Sequence, residues 1–166
     1  KLVLGYLSTV VKKGSDMEAR TAMAWADTLA GLCIANAGVT LPHGIGMAIG
    51  GMYPSIMHGE TLALNYPVFT RYTCPHAIKQ FAILGRLFNP GLKSKTDEEA
   101  AEKACEELDS FLKEIGMWFG LADFNIPKNE LDDLAKQALV LPDYKNNPRV
   151  ATVEETKELL LKCYQR

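Results

Sequence analysis

The sequence contains three histidines, His43, His58 and His76. Imidazole is the side chain best suited to moving protons near neutral pH and to holding a divalent transition metal. A single histidine in a helical core is more often structural than a ligand, but two of these share a context. His43-Gly44 and His58-Gly59 each place a glycine after the ring, leaving room for a group to approach. The two lie fifteen positions apart, and on one straight helix that spacing spans about 22 Å of rise. A shared metal needs a nitrogen of each ring about 2.0–2.1 Å away. The pair can therefore meet only if the chain reverses between them, and Gly50, Gly51 and Pro54 supply residues for a reversal. Gly46 and Gly50, four apart, would let a second helix pack closely.

Two imidazoles are still short of the three or four protein ligands usual in a catalytic metal site. No acid stands four residues before any histidine; Val39, Pro54 and Tyr72 occupy those places. His76 follows Cys74-Pro75 and could join only by folding back. Spacing alone thus gives half a metal site.

The four cysteines, at 33, 74, 105 and 163, form no Cys-x-x-Cys pair and read as free thiols of a reducing compartment, so a cytoplasmic location is expected. The formal net charge is -2, with no basic stripe; Lys93 and Lys95 sit beside the acidic run Asp97–Glu99. Nucleic acid is therefore excluded as a partner. Residues 22–42 are apolar enough to suggest a membrane span, but Asp27 near the middle would be costly in lipid. That stretch is read as a buried core helix, with no membrane partner. No repeats or low-complexity segments stand out, and no signal peptide is expected before the first helix.

The elements that must position the histidines are helical throughout. Period-2 alternation and tight hairpin signals are absent, whereas the 3.6-residue period recurs. Helices are expected over 1–12, from Ser15 or Asp16 to about Asn36 with Gly38 as a stop, over 42–52, and from His58 toward Tyr72 with a bend or interruption at Pro67. Further helices are expected over 75–88, from the box-like Thr96-Asp97-Glu98-Glu99 to about Ile115, over 128–139 and over 153–164. The result is an all-α domain of seven or eight helices spanning residues 1–166. Its apolar opening, Leu2 to Val11, follows Lys1 without a cap, as in a sequence cut from something longer.

Several motifs fall in an order that resembles one family. Gly14-Ser15-Asp16-Met17-Glu18-Ala19-Arg20 leads into the long second helix. Asn36-Ala37-Gly38 follows, then Pro42-His43-Gly44, then Met57-His58-Gly59-Glu60-Thr61-Leu62-Ala63 with Tyr66-Pro67, and finally Asn147-Pro148-Arg149 before the last helix. This pattern resembles the iron-containing (group III) alcohol dehydrogenases over nearly the whole chain. The resemblance implies a multi-helix C-terminal domain of the dehydroquinate synthase-like fold, with a separate N-terminal nucleotide-binding domain absent here. It implies a metal, Fe²⁺ or Zn²⁺, held by an Asp, a His four residues later and two further His; His43 and His58 match those last two. The other two ligands would lie before Lys1.

The resemblance further implies NAD(P)-linked hydride transfer to or from a small alcohol or aldehyde, and assembly as a homo-oligomer. The position four after His43, a histidine often assigned to proton relay in the family, is Met47 here, and a thioether cannot shuttle protons. Glu60 could act as a base, although a glutamate in a first helical turn is ordinarily held there by the helix dipole. Met47, Met52 and Met57 could line an apolar pocket, or simply fill core. No catalytic or cofactor-binding residue is assigned. The competing readings are a helical interaction domain without chemistry and a polyol dehydrogenase relative on the same scaffold.

Overall fold

The computed structural model describes all residues 1–166 and is helical without strands. Eight α-helices form: α1 (Leu2–Lys12), α2 (Met17–Ala37), α3 (Leu41–Met52), α4 (His58–Thr73), α5 (Ile78–Phe88), α6 (Asp97–Glu114), α7 (Leu131–Ala138) and α8 (Val153–Lys162). Short 3₁₀ turns cover Cys74–His76, Pro90–Ser94, Leu121–Phe124, Lys128–Glu130 and Pro142–Asn146.

The helix boundaries follow local chemistry. Asp16 caps α2 by accepting the Ala19 N–H at 3.2 Å, and Gly38 stops it at φ +71°. The reciprocal box at α6 is formed: the Glu99 N–H donates to Thr96 Oγ1 at 3.2 Å and the Thr96 N–H to Glu99 Oε2 at 3.1 Å. Thr152 and Glu155 build the same box at α8. Pro67 does not interrupt α4. It lies buried inside the helix, where Arg71 Nη1 donates to its carbonyl at 2.7 Å. The expected helix over 75–88 is instead a 3₁₀ turn followed by α5, separated at Ala77.

The main core gathers α3, α4, α7 and α8 around Leu41, Ile45, Ile49, Leu64, Phe69 and Leu134. A smaller core lies where α5 and α6 pack face to face, with Ala82, Ala100, Ala101 and Cys105 at its centre. A bidentate ion pair between Arg71 and Asp109, at 3.0 and 2.7 Å, ties α4 to α6.

α1 and α2 form a hairpin that contributes to neither core. This corrects the reading of residues 22–42 as a buried core helix. α2 buries only Ala19, and Trp25, Leu32 and Ile34 are more than half exposed. The reason is length. α1 has 11 residues and α2 has 21, about 16 and 31 Å at 1.5 Å per residue, so the second half of α2 runs on past its main partner. No single helix is long and apolar enough to cross a membrane; α2 and α3 pass such a test only as a pair, bent by 106°.

Candidate metal centre

α3 and α4 pack against each other in the main core, and each carries a histidine in its first turn. The His43 N–H donates to Thr40 O at 3.0 Å as α3 begins, and Pro42 beside it is at home in a first turn, where no N–H is needed. His58 is the first residue of α4. The reversal that joins them is made by residues 53–57. Gly50 and Gly51, expected to turn the chain, lie inside α3 instead, and a Cβ on either would meet nothing within 4 Å, so Gly50 does not mark a close helix contact.

The glycines that matter are Gly44 and Gly46. They are two residues apart, about 200° around the helix, and so face opposite sides. A Cβ on Gly44 would stand 2.7 Å from the Ala138 carbonyl oxygen at the end of α7. A Cβ on Gly46 would stand 2.9 Å from Thr61 Oγ1 and 3.3 Å from His58 Cε1. Bare backbone at these two positions lets α7 and α4 close on α3 from both sides, and it is the second approach that seats His58 against His43.

The two rings lie edge to face with centroids 5.1 Å apart and planes at 78°. His43 is half-buried, and its Nδ1 is buried without a hydrogen-bond partner; His58 is exposed. Thr61 fixes the second ring. Its hydroxyl donates to the His58 carbonyl at 2.8 Å, and its oxygen stands 3.5 Å from His58 Nδ1. An Nδ1–H facing that oxygen leaves Nε2 as the lone-pair nitrogen.

Asn65, one turn along α4 from Thr61, was not singled out by sequence reasoning. It is fully buried, and its Nδ2 donates to Pro42 O at 3.0 Å and to Thr61 O at 2.9 Å. One side chain thus clamps the residue before His43 to the turn that carries His58. The available signal was a polar residue on the buried Thr61–Leu64–Asn65 face of a helix; the Asn65 Nδ2 finds two acceptors, while its Oδ1 is buried without a partner.

The other candidates lie elsewhere. His76 is exposed at the end of the 3₁₀ turn Cys74–His76. Glu60 accepts the Met57 N–H at 2.9 Å, the helix-start role of a first-turn glutamate. Met47 and Met52 line a cavity of about 350 Å³ between α3 and the end of α7, with Gly44, Gly51 and Val140, whereas Met57 is two-thirds exposed. No third His, Cys, Asp or Glu joins His43 and His58.

The domain is thus all-helical, with two imidazoles from the first turns of two packed helices lying side by side. Residues 1–164 match the family model described as "Fe-containing alcohol dehydrogenase family, C-terminal", and the chain belongs to that family. It is 32% identical over 160 residues to the NAD-dependent methanol dehydrogenase of Bacillus methanolicus, covering 96% of this chain and 42% of that protein. It is 27% identical to the 1,3-propanediol dehydrogenase of Klebsiella pneumoniae, over 99% of this chain and 42% of that protein. Among solved structures, a 1,3-propanediol oxidoreductase superposes with a TM-score of 0.93 at 27% identity, and an alcohol dehydrogenase from Oenococcus oeni with 0.92 at 26%; each match covers 98% of this chain and 42% of the other. The chain thus spans about two-fifths of the length of these relatives.

Proposed function

We propose that this domain is the metal-binding part of an NAD(P)-linked oxidoreductase acting on a small alcohol or aldehyde, and that His43 and His58 are two of its metal ligands. The observation that carries the reading is the imidazole pair itself: two rings from different helices, 5.1 Å between centroids, one with a buried and unpartnered nitrogen. Two imidazoles sharing one metal through bonds of 2.0–2.1 Å at roughly tetrahedral angles have centroids about 5 Å apart. The donor set suits Fe²⁺ or Zn²⁺ equally, since both accept imidazole.

When bound, a divalent metal would polarise a carbonyl oxygen or stabilise an alkoxide. This chain's contribution is positional. Gly46 admits α4, Thr61 orients the His58 ring, and Asn65 holds the two helix starts in register. Met47 keeps the α3 face near the pair apolar but moves no proton, so any proton relay must pass through water or a group supplied by another part of the protein.

The two-fifths coverage of NAD-dependent relatives, together with a match to a C-terminal family model, supports a nucleotide-binding portion outside these residues. On this reading the 166-residue chain alone binds metal weakly and turns nothing over, because it holds two ligands and no carboxylate among them. Two assays test the proposal. The chain supplied with Fe²⁺ or Zn²⁺, NAD(P)H and short aldehydes should show no loss of nicotinamide absorbance; turnover would refute the division of labour. In the longer polypeptide, His43→Ala and His58→Ala should each lower kcat/KM by orders of magnitude with loss of bound metal. Near-normal activity and metal content in both variants would refute the site.

A further inference from the structure

Away from the imidazole pair, two cysteines meet. Cys74 opens the 3₁₀ turn after α4, and Cys105 lies in the middle of α6. Both are buried in the smaller core. The Cys74 thiol donates to the Ala101 carbonyl at 3.5 Å. Ala101 is four residues before Cys105, so Cys74 lies against the very turn of α6 that carries the second sulfur. Burial pushes the Cys105 thiol up to about 12.

The two thiols line a cavity of about 470 Å³ that also includes Arg71, Glu98, Glu102 and Glu106. The three glutamates are spaced four apart and so edge one side of α6. The one cation, Arg71, is already engaged by Asp109. The lining of the cavity thus combines three glutamates with two cysteines.

The geometry points to a two-coordinate thiolate site for a soft monovalent cation of the Cu(I) or Ag(I) kind. Thiolate ligands select soft ions, and two sulfurs complete a linear site without a third donor; no third His, Cys, Asp or Glu completes a higher-coordinate group here. The acidic edge attracts a cation and repels anionic disulfides such as oxidised glutathione, which favours metal capture over disulfide exchange. In the binding step two S–H bonds break and two S–metal bonds form. One cation enters and two protons leave to solvent, with no change of oxidation state.

The test uses Cu(I) in anaerobic competition with bicinchoninate, on the protein carrying Cys33→Ser to remove the exposed thiol. One Cu(I) per chain should bind with an ultraviolet thiolate-to-copper band, and X-ray absorption should find two sulfur neighbours. Cys74→Ser and Cys105→Ser should each weaken binding at least 100-fold, while Cys163→Ser leaves it unchanged. Because substitutions in the small core could unfold it, Glu102→Gln, on an exposed residue, provides a second arm and should weaken binding several-fold without altering the helical spectrum. Nitrogen neighbours from the imidazole pair, undiminished binding in the Cys74→Ser or Cys105→Ser variant, or no response to Glu102→Gln would each overturn the assignment.

Discussion

α2 and α3 read alike in the sequence and end in opposite environments. Both are rich in apolar and small residues, and both contain glycines. α3 buries Leu41, Pro42, Gly44, Ile45, Gly46 and Ile49, whereas α2 buries Ala19 alone. α2 carries three charged residues, Glu18, Arg20 and Asp27, and α3 none, but the two helices also differ in their neighbours. Two helices close on α3 from opposite sides through Gly44 and Gly46, while the main partner of α2 is the shorter α1. Apolar composition reports that a helix requires cover; whether the cover lies within the same stretch of polypeptide is a property of the fold.

Truncating a side chain in the α3/α4 core and another on α2 should separate the two environments. Phe69→Ala, at a fully buried position packed in the α3/α4 core, should cost about 3–5 kcal/mol. Leu32→Ala on α2, 55% exposed, should change stability by less than about 0.5 kcal/mol. Urea denaturation of the two variants measures both, and equal losses would mean that α2 is covered after all.

Glycine substitutions should differ in sign. Gly44→Ala forces a methyl to 2.7 Å from the Ala138 carbonyl oxygen and should destabilise by about 1–3 kcal/mol. Gly31→Ala, within α2 and facing open space, removes backbone entropy without a clash and should stabilise by up to about 1 kcal/mol. Thermal melts in which both variants moved the same way would erase the distinction between the two helices.

Trp25, Leu29 and Leu32 fall at spacings of four and three and form one exposed stripe on α2. An uncovered stripe of this kind favours association, so the chain is expected to sediment as more than a monomer at high concentration, with Leu29→Lys plus Leu32→Lys shifting it toward monomer. A wild-type chain that stays monomeric at every concentration would refute this.

The smallest expected effect is acid sensitivity at the helix starts. The Thr96 N–H holds the Glu99 carboxyl below its ordinary 4.5, and the Thr152 N–H does the same for Glu155. Since the folded value is the lower one, the contribution is fully present above about pH 4.5 and is lost as pH falls through the depressed folded value. Both groups are exposed, so the effect is modest. Amide protection factors at the starts of α6 and α8 should fall below that pH, and Glu99→Gln should blunt the change at α6 alone. The middle of α3, which has no such carboxylate, should not respond in this range.

The sequence by itself determined that the chain is helical, where most helices begin and end, and which two histidines share a context. Those features are local: the 3.6-residue period, a Thr with a Glu three positions on, a glycine after a helix, and a ring followed by glycine are all written within a few residues. It also carried enough ordered motifs to place the chain in its family. Tertiary structure alone decided that Gly44 and Gly46, rather than Gly50, mark the close approaches, since each needs a backbone or side chain from another helix to give it meaning. It alone made Asn65 the clamp between the two histidine-bearing turns, through a carbonyl 23 residues away in sequence, and joined Cys74 to the turn of Cys105. It also left α2 open, because the burial of a helix depends on which other helices reach it, and the residues of that helix do not encode their lengths.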